Sequence, residues 1–395
     1  MHWTPELQNF IQNHLEDDTA SLLLSARRYP DINVPFAAEQ IEARKRLKNK
    51  LPDWYSNPNL IMGGRIPAEQ CSSEVTARYK RSIIEGESLC DMTGGMGIDF
   101  WYMSEGMKHA IYTERSEHLC QVAQHNFQAL SDEHHPTPLI RQGDGQQLPI
   151  PSADVIYLDP ARRATDGSRV YAIEDCEPNI IQWQDELLKH ACTLLVKLSP
   201  MVDMTDALRK LHGVTDVYIV AVKNECKEIL VKQQPQPSAA PISVHCVDFM
   251  TDRTLDYTFT FPDETPISIS SEGVKQYLYE PDVTLMKAQA WGSLCQRYHI
   301  HQLDADTRLM TSDQLIPHFP GRIFILDEQI PFSSKTLKRL KPQIPQANIA
   351  TRNFILTADE LKKRTGIKDG GDVYLFGAKV YGIGECLLKC HKALL

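Results

Sequence analysis

The chain has 395 residues, too many for one average domain, and this length predicts about two to four domains. A hydrophobic fraction of 42% is sufficient for hydrophobic cores, and no apolar run approaches the ~20 residues of a membrane-spanning helix, which excludes a helical membrane protein. The net charge of −9 argues against a protein that simply coats nucleic acid.

The beginning of the chain and its cysteines predict a cytoplasmic protein. The stretch MHWTPELQNF is polar and acidic, unlike the basic and apolar regions of an export signal. Ten cysteines are scattered along the chain without a CxxC pair, although Cys386 and Cys390 stand four residues apart beside His391. We interpret all ten as apolar thiols in a reducing compartment, and we expect no metal and no disulfide.

Charge is distributed unevenly along the chain. From Met310 to Leu395, 13 lysines and arginines stand against 8 acidic residues, a local charge of +5, whereas the rest of the chain carries −14. This asymmetry permits a basic module beside an acidic one.

The first two regions differ in the period of their apolar residues. Residues 1–82 space them three and four apart, as in LQNFIQNHL and FAAEQIEARKRLKNKLPDW, which predicts helices. Residues 83–235 alternate short apolar strands with helical patterns, which predicts a Rossmann-like, doubly wound and mostly parallel sheet. The stretch DVYIVAVKNECKEILVKQ leaves no room for a crossover helix, so it predicts an antiparallel hairpin at the edge of that sheet.

The polar, proline-rich stretch QQPQPSAAP reads as a linker to the C-terminal regions. Residues 236–318 contain a predicted strand pair, ISVHCVDF and LDYTFTF, and a predicted helix, DVTLMKAQAWGSLCQRY. Residues 319–395 follow the order βαβαββ, which predicts a small two-layer sandwich. The fold class is therefore α/β, with helices before the main sheet and an α+β module after it.

The stretch SLCDMTGGMGIDFWYM predicts a strand, a tight glycine loop and a helix. Such a loop suits either a dinucleotide or S-adenosylmethionine. Gly95 and Gly97 supply the G-x-G of a dinucleotide fingerprint, but Phe100 stands at its third glycine position. Asp91 would repel a pyrophosphate and attract the ammonium group of a methionine moiety, so the loop favours S-adenosylmethionine.

Three further acidic positions follow in order. Glu114 ends the next strand, 23 residues beyond Asp91, where it can accept hydrogen bonds from both ribose hydroxyls. Asp144 follows a third strand and can accept one from the adenine amino group. Asp159 and Pro160 end a fully apolar strand, at the edge where doubly wound sheets bind ligands. Each acid alone is common at strand ends and turns, but the four in this order are far more specific.

These residues resemble those of a class I S-adenosylmethionine-dependent methyltransferase. DMTGGMG matches the first motif of that family, except that Thr93 replaces its usual first glycine. The resemblance implies S-adenosylmethionine as cofactor, with the loop around the methionine moiety, the second acid on the ribose and the third on the adenine: Asp91, Thr93, Gly95, Gly97, Glu114 and Asp144.

The sequence Asp159-Pro160-Ala161-Arg162 corresponds to the [DN]-P-P-[YFW] motif of amino-group methyltransferases. The resemblance makes Asp159 the catalytic residue that orients an exocyclic base amine by accepting its N–H, while Pro160 stiffens the loop. The usual stacking aromatic is missing. Arg162 can stack on a base in its place, and Arg163 can contact the nucleotide as well.

DPxR also resembles the RNA uracil methyltransferases, which need a nucleophilic cysteine after a later strand. Ser199 stands near that position and Cys192 lies before the strand, so we disfavour methylation at the uracil carbon. Lys197 in the same strand is either a core-edge lysine or a substrate contact. A polar cluster before the first strand is either a helix cap, provided by one of its serines, or a cover for the methionine carboxylate: Gln70, Ser72, Ser73 and Thr76.

The region from about Tyr277 to Leu395 resembles the ferredoxin-like and THUMP-like domains of a bacterial subgroup of predicted RNA methyltransferases. THUMP-type domains bind structured RNA ends. The basic runs KTLKRLK and KKRTGIK, with Lys338 and Lys362, are either phosphate contacts or solvated helix faces.

Together these features predict a methyltransferase (EC 2.1.1.-) that acts on a base nitrogen of structured rRNA or tRNA. One alternative is the same core acting on DNA, a protein amide or a small molecule. Another is an RNA-binding protein without catalytic activity.

Overall fold

The computed structural model describes residues 3–162, 172–237 and 239–393. It contains two compact units, the first from Met1–Thr215 and Ile229–Ala240, the second from Asp216–Glu228 and Pro241–Leu395. In these described ranges, no helix is both long and apolar enough to span a bilayer.

The first unit begins with helices, as the apolar periodicity predicts. Thr4 caps the first of them by accepting a hydrogen bond from the Leu7 backbone N–H, and Pro5 follows in the first turn. The apolar faces of the first three helices meet in one small core around Phe10, Leu22 and Ile41. The helices are α1 Pro5–Asn13, α2 Thr19–Leu24, α3 Val34–Leu47, α4 Pro52–Ser56, α5 Arg65–Gln70 and α6 Glu74–Ser82.

The main sheet of the first unit is mostly parallel, which confirms the predicted Rossmann-like fold. Its strands and the short ribbon after the fourth strand are β1 Ser88–Asp91, β2 His109–Glu114, β3 Leu139–Gln142, β4 Ala153–Leu158, β5 Ala161–Arg162, β6 Cys176–Glu177 and β7 Ala191–Leu198. The parallel order is β3-β2-β1-β4-β7, and β5 pairs antiparallel with β6. Because the strand order reverses around β1, the carboxyl ends of β1, β2 and β4 frame the crevice where such sheets bind ligands.

Four helices cover this sheet in the described ranges, and three of them begin at a residue whose side chain caps the first turn. Ser116 caps the second of the four by accepting from the Leu119 N–H, and Val122, Ala123 and Phe127 bury its apolar face. The helices are α7 Ile98–Met103, α8 Glu117–Leu130, α9 Ile180–Leu187 and α10 Met204–Lys210. α7 starts immediately after the glycine loop, so its first turn lies at the crevice.

The predicted hairpin comprises β8 Val214–Val222 and β9 Glu225–Gln233. The second strand of the hairpin, β9, joins the main sheet in antiparallel orientation as predicted, because its residues Ile229–Gln233 pair with β7. The edge position was wrong, because β8 pairs in parallel with β10, Ile242–Phe249, in the second unit. β10 follows the predicted linker and carries buried residues such as Val244 and Cys246. It pairs with β8, which the sequence analysis had placed at the edge of the sheet.

The second unit contains the predicted strand pair, β10 with β11 Thr254–Phe261. The predicted single helix is interrupted, because Gln289 adopts a left-handed backbone with φ of +56° and ends its first half. The elements up to residue 312 are β12 Tyr277–Pro281, α11 Val283–Ala288, α12 Trp291–Tyr298, β13 His301–Asp304 and β14 Thr307–Ser312.

The last part of the chain has the predicted βαβαββ order. Its elements are β15 Gly321–Pro331, α13 Ser334–Gln343, β16 Asn348–Arg352, α14 Ala358–Thr365, β17 Val373–Val380 and β18 Gly384–Lys392. The sheet runs β13-β14-β12-β15-β18-β17-β16. Leu337, Leu340 and Leu361 of the two helices bury their side chains against Leu375 and Leu387 of the sheet, which makes the predicted two-layer sandwich.

Candidate active site

The glycine loop follows β1 directly. Asp91 ends the strand with only 1% of its surface exposed, and its Oδ1 accepts the Thr93 backbone N–H at 2.8 Å. Gly95 has φ of +57°, and a Cβ there would meet no atom closer than the Thr93 carbonyl oxygen at 3.8 Å. Gly94 has a different constraint, because a Cβ would lie 2.1 Å from the Tyr112 ring. The loop therefore packs one side against β2 and presents bare backbone on the other.

Two cavities adjoin the loop and share Thr93 in their walls. The first, of about 190 Å³, includes Asp91, Gly95 and Asp159 in its lining. The second, of about 90 Å³, is lined by residues after β1, β2 and β3 and at the start of α9, including Glu114, Asp144 and Trp183. Together they suit an elongated ligand with one end at Asp91 and the other at Asp144.

The surroundings of Asp91 favour the binding of a cation beside its carboxyl group. Burial raises the pKa of its carboxyl well above the ordinary value, the Thr93 N–H opposes this, and the negative charges of Asp99, Asp159 and Glu114 raise it further. An amino group bound beside Asp91 would compensate the buried charge. The structure thus gives a second reason for the ammonium partner that the sequence predicts.

Glu114 and Asp144 lie in the second cavity, where the nucleoside is expected. Each Glu114 oxygen accepts one backbone N–H at 2.8 Å, from Gly95 and from Ser116, and retains a further lone pair for a hydroxyl donor. Asp144 accepts the Gln146 N–H at 3.0 Å. Trp183 adds an aromatic wall that the sequence analysis missed, because nothing in the α9 sequence distinguishes it from a core residue.

Thr93 connects the two loops that bear the predicted site. Its hydroxyl oxygen accepts the Asp159 backbone N–H at 2.6 Å, and its hydroxyl lies 3.4 Å from Asp91 Oδ1. A glycine at this position would offer neither contact. The departure from the family motif therefore ties the loop after β1 to the loop after β4.

Lys197 lies against the predicted catalytic carboxylate. Its Nζ donates to Asp159 Oδ2 at 2.6 Å and to Ser72 Oγ at 3.1 Å, and it stands 3.6 Å from Asp99 Oδ2. Ser73, not Ser72, caps α6, so Ser72 is available for this contact. The side chains of Lys197 and Asp159 are 13% and 37% exposed, and Asp159 lines the cavity that also contains Asp91.

A buried ion pair stands behind Lys197. Lys80 Nζ lies 3.1 Å from Asp99 Oδ1, with the lysine fully buried, and Asp99 Oδ2 accepts the hydroxyls of Ser72 at 2.7 Å and Tyr157 at 2.8 Å. Burial opposes ionisation of Asp99, but the charges of Lys80 and Lys197 outweigh it and hold its pKa below the ordinary value. We call Lys80, Asp99, Asp159 and Lys197 the lysine–aspartate cluster.

Sequence analysis missed Lys80 and Asp99. The available signal was weak: Asp99 is a lone acid within the apolar run IDFWYM, whose other residues are all buried. Of the remaining predicted residues, Pro160 is buried beside Asp159, and the backbone of Arg162 pairs with Cys176. Arg163 lies outside the described residues.

The predicted RNA contacts lie in the second unit. Lys338 is exposed on α13, and Lys362 on α14 pairs with Asp369 at 3.1 Å. Further basic residues on these two helices and just after them are Lys335, Arg339, Lys341, Lys363, Arg364 and Lys368.

Comparisons with known proteins agree with this architecture. The THUMP domain-like family model matches residues 321–392, and a ferredoxin-like domain model matches residues 277–320. The chain is 21% identical over 340 residues to an uncharacterised S-adenosylmethionine-dependent methyltransferase of Mycobacterium tuberculosis H37Rv, covering 85% of this chain and 89% of that protein.

A crystal structure of a candidate methyltransferase from Porphyromonas gingivalis W83 is 35% identical, covers 100% of both chains and superposes with a TM-score of 0.89. This chain belongs to the class I S-adenosylmethionine-dependent methyltransferases that carry C-terminal ferredoxin-like and THUMP-like domains. The predicted family and the predicted cofactor, S-adenosylmethionine, are thereby confirmed.

Proposed function

We propose that this methyltransferase acts on structured RNA. The observation that carries the choice of RNA is the THUMP domain-like match over residues 321–392. The link from Thr93 to the Asp159 backbone at 2.6 Å supports the place of methyl transfer, since it holds a carboxylate beside the cavity that fits the methionine end of the cofactor. A methyl acceptor must approach at this place for direct transfer.

The residues present fit S-adenosylmethionine. Asp91 would hold the ammonium group, with Thr93, Gly95 and Gly97 close around the methionine chain. Glu114 would accept hydrogen bonds from the ribose, and Asp144 from the adenine amino group. When bound, the cofactor supplies a methyl group on a positively charged sulfur, which a nucleophile can take directly.

The acceptor that the sequence predicts is an exocyclic amine of a base. Asp159 would accept one of its N–H groups and so orient the nitrogen lone pair, and Arg162 and Arg163 would hold the nucleotide. For this acceptor, Asp159 Oδ2 would have to share its hydrogen bond with Lys197 or exchange it for the amine.

The proposed RNA-binding surface comprises the basic residues of α13 and α14. Lys338 and Lys362 would neutralise phosphates, with the flanking basic residues adding to a sequence-independent attraction that weakens with salt. The THUMP-like match over residues 321–392 supports this role, because the surface belongs to that domain.

Labelling identifies the substrate class. The protein is incubated with methyl-tritiated S-adenosylmethionine and with total RNA, DNA or protein from a strain that lacks its gene. We expect tritium in the RNA fraction, and more in RNA from the deletion strain than in RNA from the parent strain. Label that enters only protein or only DNA would contradict the proposal.

Calorimetry separates an enzyme from an RNA-binding protein without catalysis. We expect S-adenosylmethionine to bind in the absence of RNA. A protein that binds RNA but shows no heat of binding with S-adenosylmethionine would support the non-catalytic alternative.

A further inference from the structure

A cavity of about 730 Å³ in the second unit is lined by residues outside α13 and α14. Its basic lining residues are far apart in the chain: Arg253 in the turn between β10 and β11, Arg322 near the start of β15, Arg352 at the end of β16 and Lys392 at the end of β18. Folding therefore gathers cations from four separate segments around one concave surface.

A buried glutamate holds two of these arginines. Glu280 stands opposite Arg322 in the pairing of β12 with β15 and is 2% exposed. One of its oxygens accepts from Arg322 Nε and the other from Arg352 Nη2, each at 2.5 Å. Because one carboxylate neutralises only one guanidinium, the group retains a positive charge. The arginine side chains are 46% and 27% exposed, so they keep N–H donors for a further acceptor.

The accessible groups of this cavity are mostly cationic. Its lining also contains three acids, but Glu280 and Asp282 are each 2% exposed, and Asp282 is occupied as the N-cap of α11. The third acid, Asp252, is exposed beside Arg253 and offsets one charge. Among the described residues, neither Arg253 nor Lys392 forms a salt bridge. The cavity therefore carries uncompensated positive charge, which favours an anion.

The walls of the cavity indicate which anion fits. Planar guanidinium groups bind phosphate oxygens in pairs, and a lysine adds a point charge. Apolar side chains complete the lining, among them Met250, Met286 and Pro317, and these can pack against a sugar or a base. The volume lies within the range of about 300–1,000 Å³ that is typical of ligand pockets and exceeds the need of a bare phosphate. A phosphate with an attached nucleoside suits both parts of the lining.

We infer that this cavity binds a phosphate group of the RNA substrate together with the nucleoside attached to it. The inference rests on the proposed function and adds a contact separate from the basic residues of α13 and α14. The two contacts differ in kind, because the helices present mobile exposed side chains whereas Glu280 fixes the guanidinium groups of the cavity. Fixed donors lose less conformational entropy on binding, so we expect the cavity to contribute more affinity per charge.

Charge reversal at the two unpaired cations tests the site. The double variant Arg253→Glu/Lys392→Glu leaves the pairs of Glu280 intact. The probe is the RNA fraction that takes up tritium from labelled S-adenosylmethionine. At about 100 mM salt we expect filter binding to weaken at least about 20-fold, with a salt dependence lower by about two phosphate contacts. An unchanged circular dichroism spectrum shows that the variant folds.

A matched double variant controls for net charge. Lys108→Glu/Lys189→Glu makes the same change in charge at exposed lysines that precede β2 and β7, at the edge of the main sheet opposite the candidate active site. We expect RNA binding to weaken by less than about threefold. Equal weakening in the two double variants would overturn the inference, because net charge would then account for the loss. Normal RNA binding by Arg253→Glu/Lys392→Glu would also overturn it.

A single substitution tests the fixed guanidinium. Arg322→Lys keeps the charge but cannot bind Glu280 and a phosphate through one planar group, so we expect RNA binding to weaken by about 3- to 10-fold. Urea unfolding of the variant serves as the check on stability. A stable variant that binds RNA as tightly as the natural protein does would overturn the role of the guanidinium pair.

Two further measurements separate the source of the phosphate and the fate of the proposed function. AMP provides a free nucleotide for calorimetry, and we expect it to bind far more weakly than the RNA. Tight AMP binding that RNA does not displace would overturn RNA as the ligand of the cavity. If no RNA takes up tritium from the natural protein, the proposed function fails. If RNA is labelled but Arg253→Glu/Lys392→Glu binds it normally, only the inference about the cavity fails.

Discussion

The two halves of the candidate active site are built in different ways. The half that fits the methyl donor uses successive loops at the ends of β1, β2 and β3, with Asp91, Glu114 and Asp144 each just inside or after its strand. The half that faces the acceptor gathers Lys80 from α6, Asp99 from α7, and Asp159 and Lys197 from the ends of β4 and β7.

This difference explains why the donor half can be recognised from the sequence and the acceptor half cannot. A donor site needs bare backbone and single acids at strand ends, and these leave short motifs. The acceptor site needs opposite charges that meet only after folding, and these leave no local pattern. The following substitutions test whether the two halves are functionally separable, from the largest expected effect to the smallest.

Asp159→Ala should separate the halves most clearly. We expect methyl transfer to fall by about 1,000-fold, because Lys197 and the acceptor lose their orienting carboxylate, while S-adenosylmethionine affinity changes by less than about threefold. Tritium transfer and calorimetry measure the two quantities, with the exposed Asp185→Ala as control. An equal loss of cofactor binding would show that Asp159 belongs to the donor half.

Asp91→Asn should affect the donor half. We expect S-adenosylmethionine affinity to fall by about 10- to 100-fold, since a hydrogen bond to a charged group is worth about 1.5–3 kcal/mol. The folded-state pKa of Asp91 is raised, so ionising it costs stability as pH rises from its unfolded value through its folded value. Urea unfolding at pH 8 should therefore show the variant to be at least as stable as the natural protein.

The same substitution predicts a change in pH dependence. Cofactor affinity of the natural protein should increase with pH while Asp91 ionises, and the affinity of Asp91→Asn should lack this increase. Calorimetric titrations across pH distinguish the two. A variant that binds normally but unfolds more easily would make Asp91 structural instead of a ligand.

Much of the fold was predictable because its signals are local. Short apolar runs predicted the strands of the main sheet and helical spacing predicted its helices, and the βαβαββ order of the last part was predicted in the same way. The edge position of the hairpin was wrong because β10, beyond the linker, pairs with β8. The break at Gln289 was missed because a left-handed glutamine carries no sequence signal.

The candidate active site, like the fold, was predictable only in part. Asp91 and Asp159 were identified from strand ends, and Lys197 was left undecided between core and substrate. Lys80 and Asp99 could not be identified from the sequence. The lysine in ARYKRS could equally lie at the surface, and only the fold shows that it is buried and paired with Asp99 on another helix. Trp183 likewise gains its place in the cavity only from the packing of α9.

Thr93→Val should have a moderate effect, confined to the acceptor half. The valine keeps the shape but removes the acceptor of the Asp159 N–H, a loss of about 0.5–1.5 kcal/mol. We expect transfer to slow by about 3- to 10-fold with nearly unchanged cofactor affinity, measured in single turnovers. Thr93→Ser keeps the hydroxyl and should be close to normal. Equal slowing in both variants would mean that the hydroxyl is not what matters.

Lys338→Ala and Lys362→Ala should have the smallest effects and leave both halves intact. We expect each to weaken RNA binding by about 2- to 5-fold and to lower the salt dependence by about one phosphate contact, while the rate at saturating RNA is unchanged. The effect should be smaller for Lys362, which already pairs with Asp369. Filter binding across salt concentrations measures this, and Lys189→Ala provides the control.

A crystal structure with S-adenosylhomocysteine tests the central claim most directly. We predict the amino group of the ligand beside Asp91, the ribose hydroxyls at Glu114 and the adenine between Asp144 and Trp183, with the sulfur directed toward the Lys197–Asp159 pair. A ligand bound elsewhere, or one that points its sulfur away from that pair, would contradict the account.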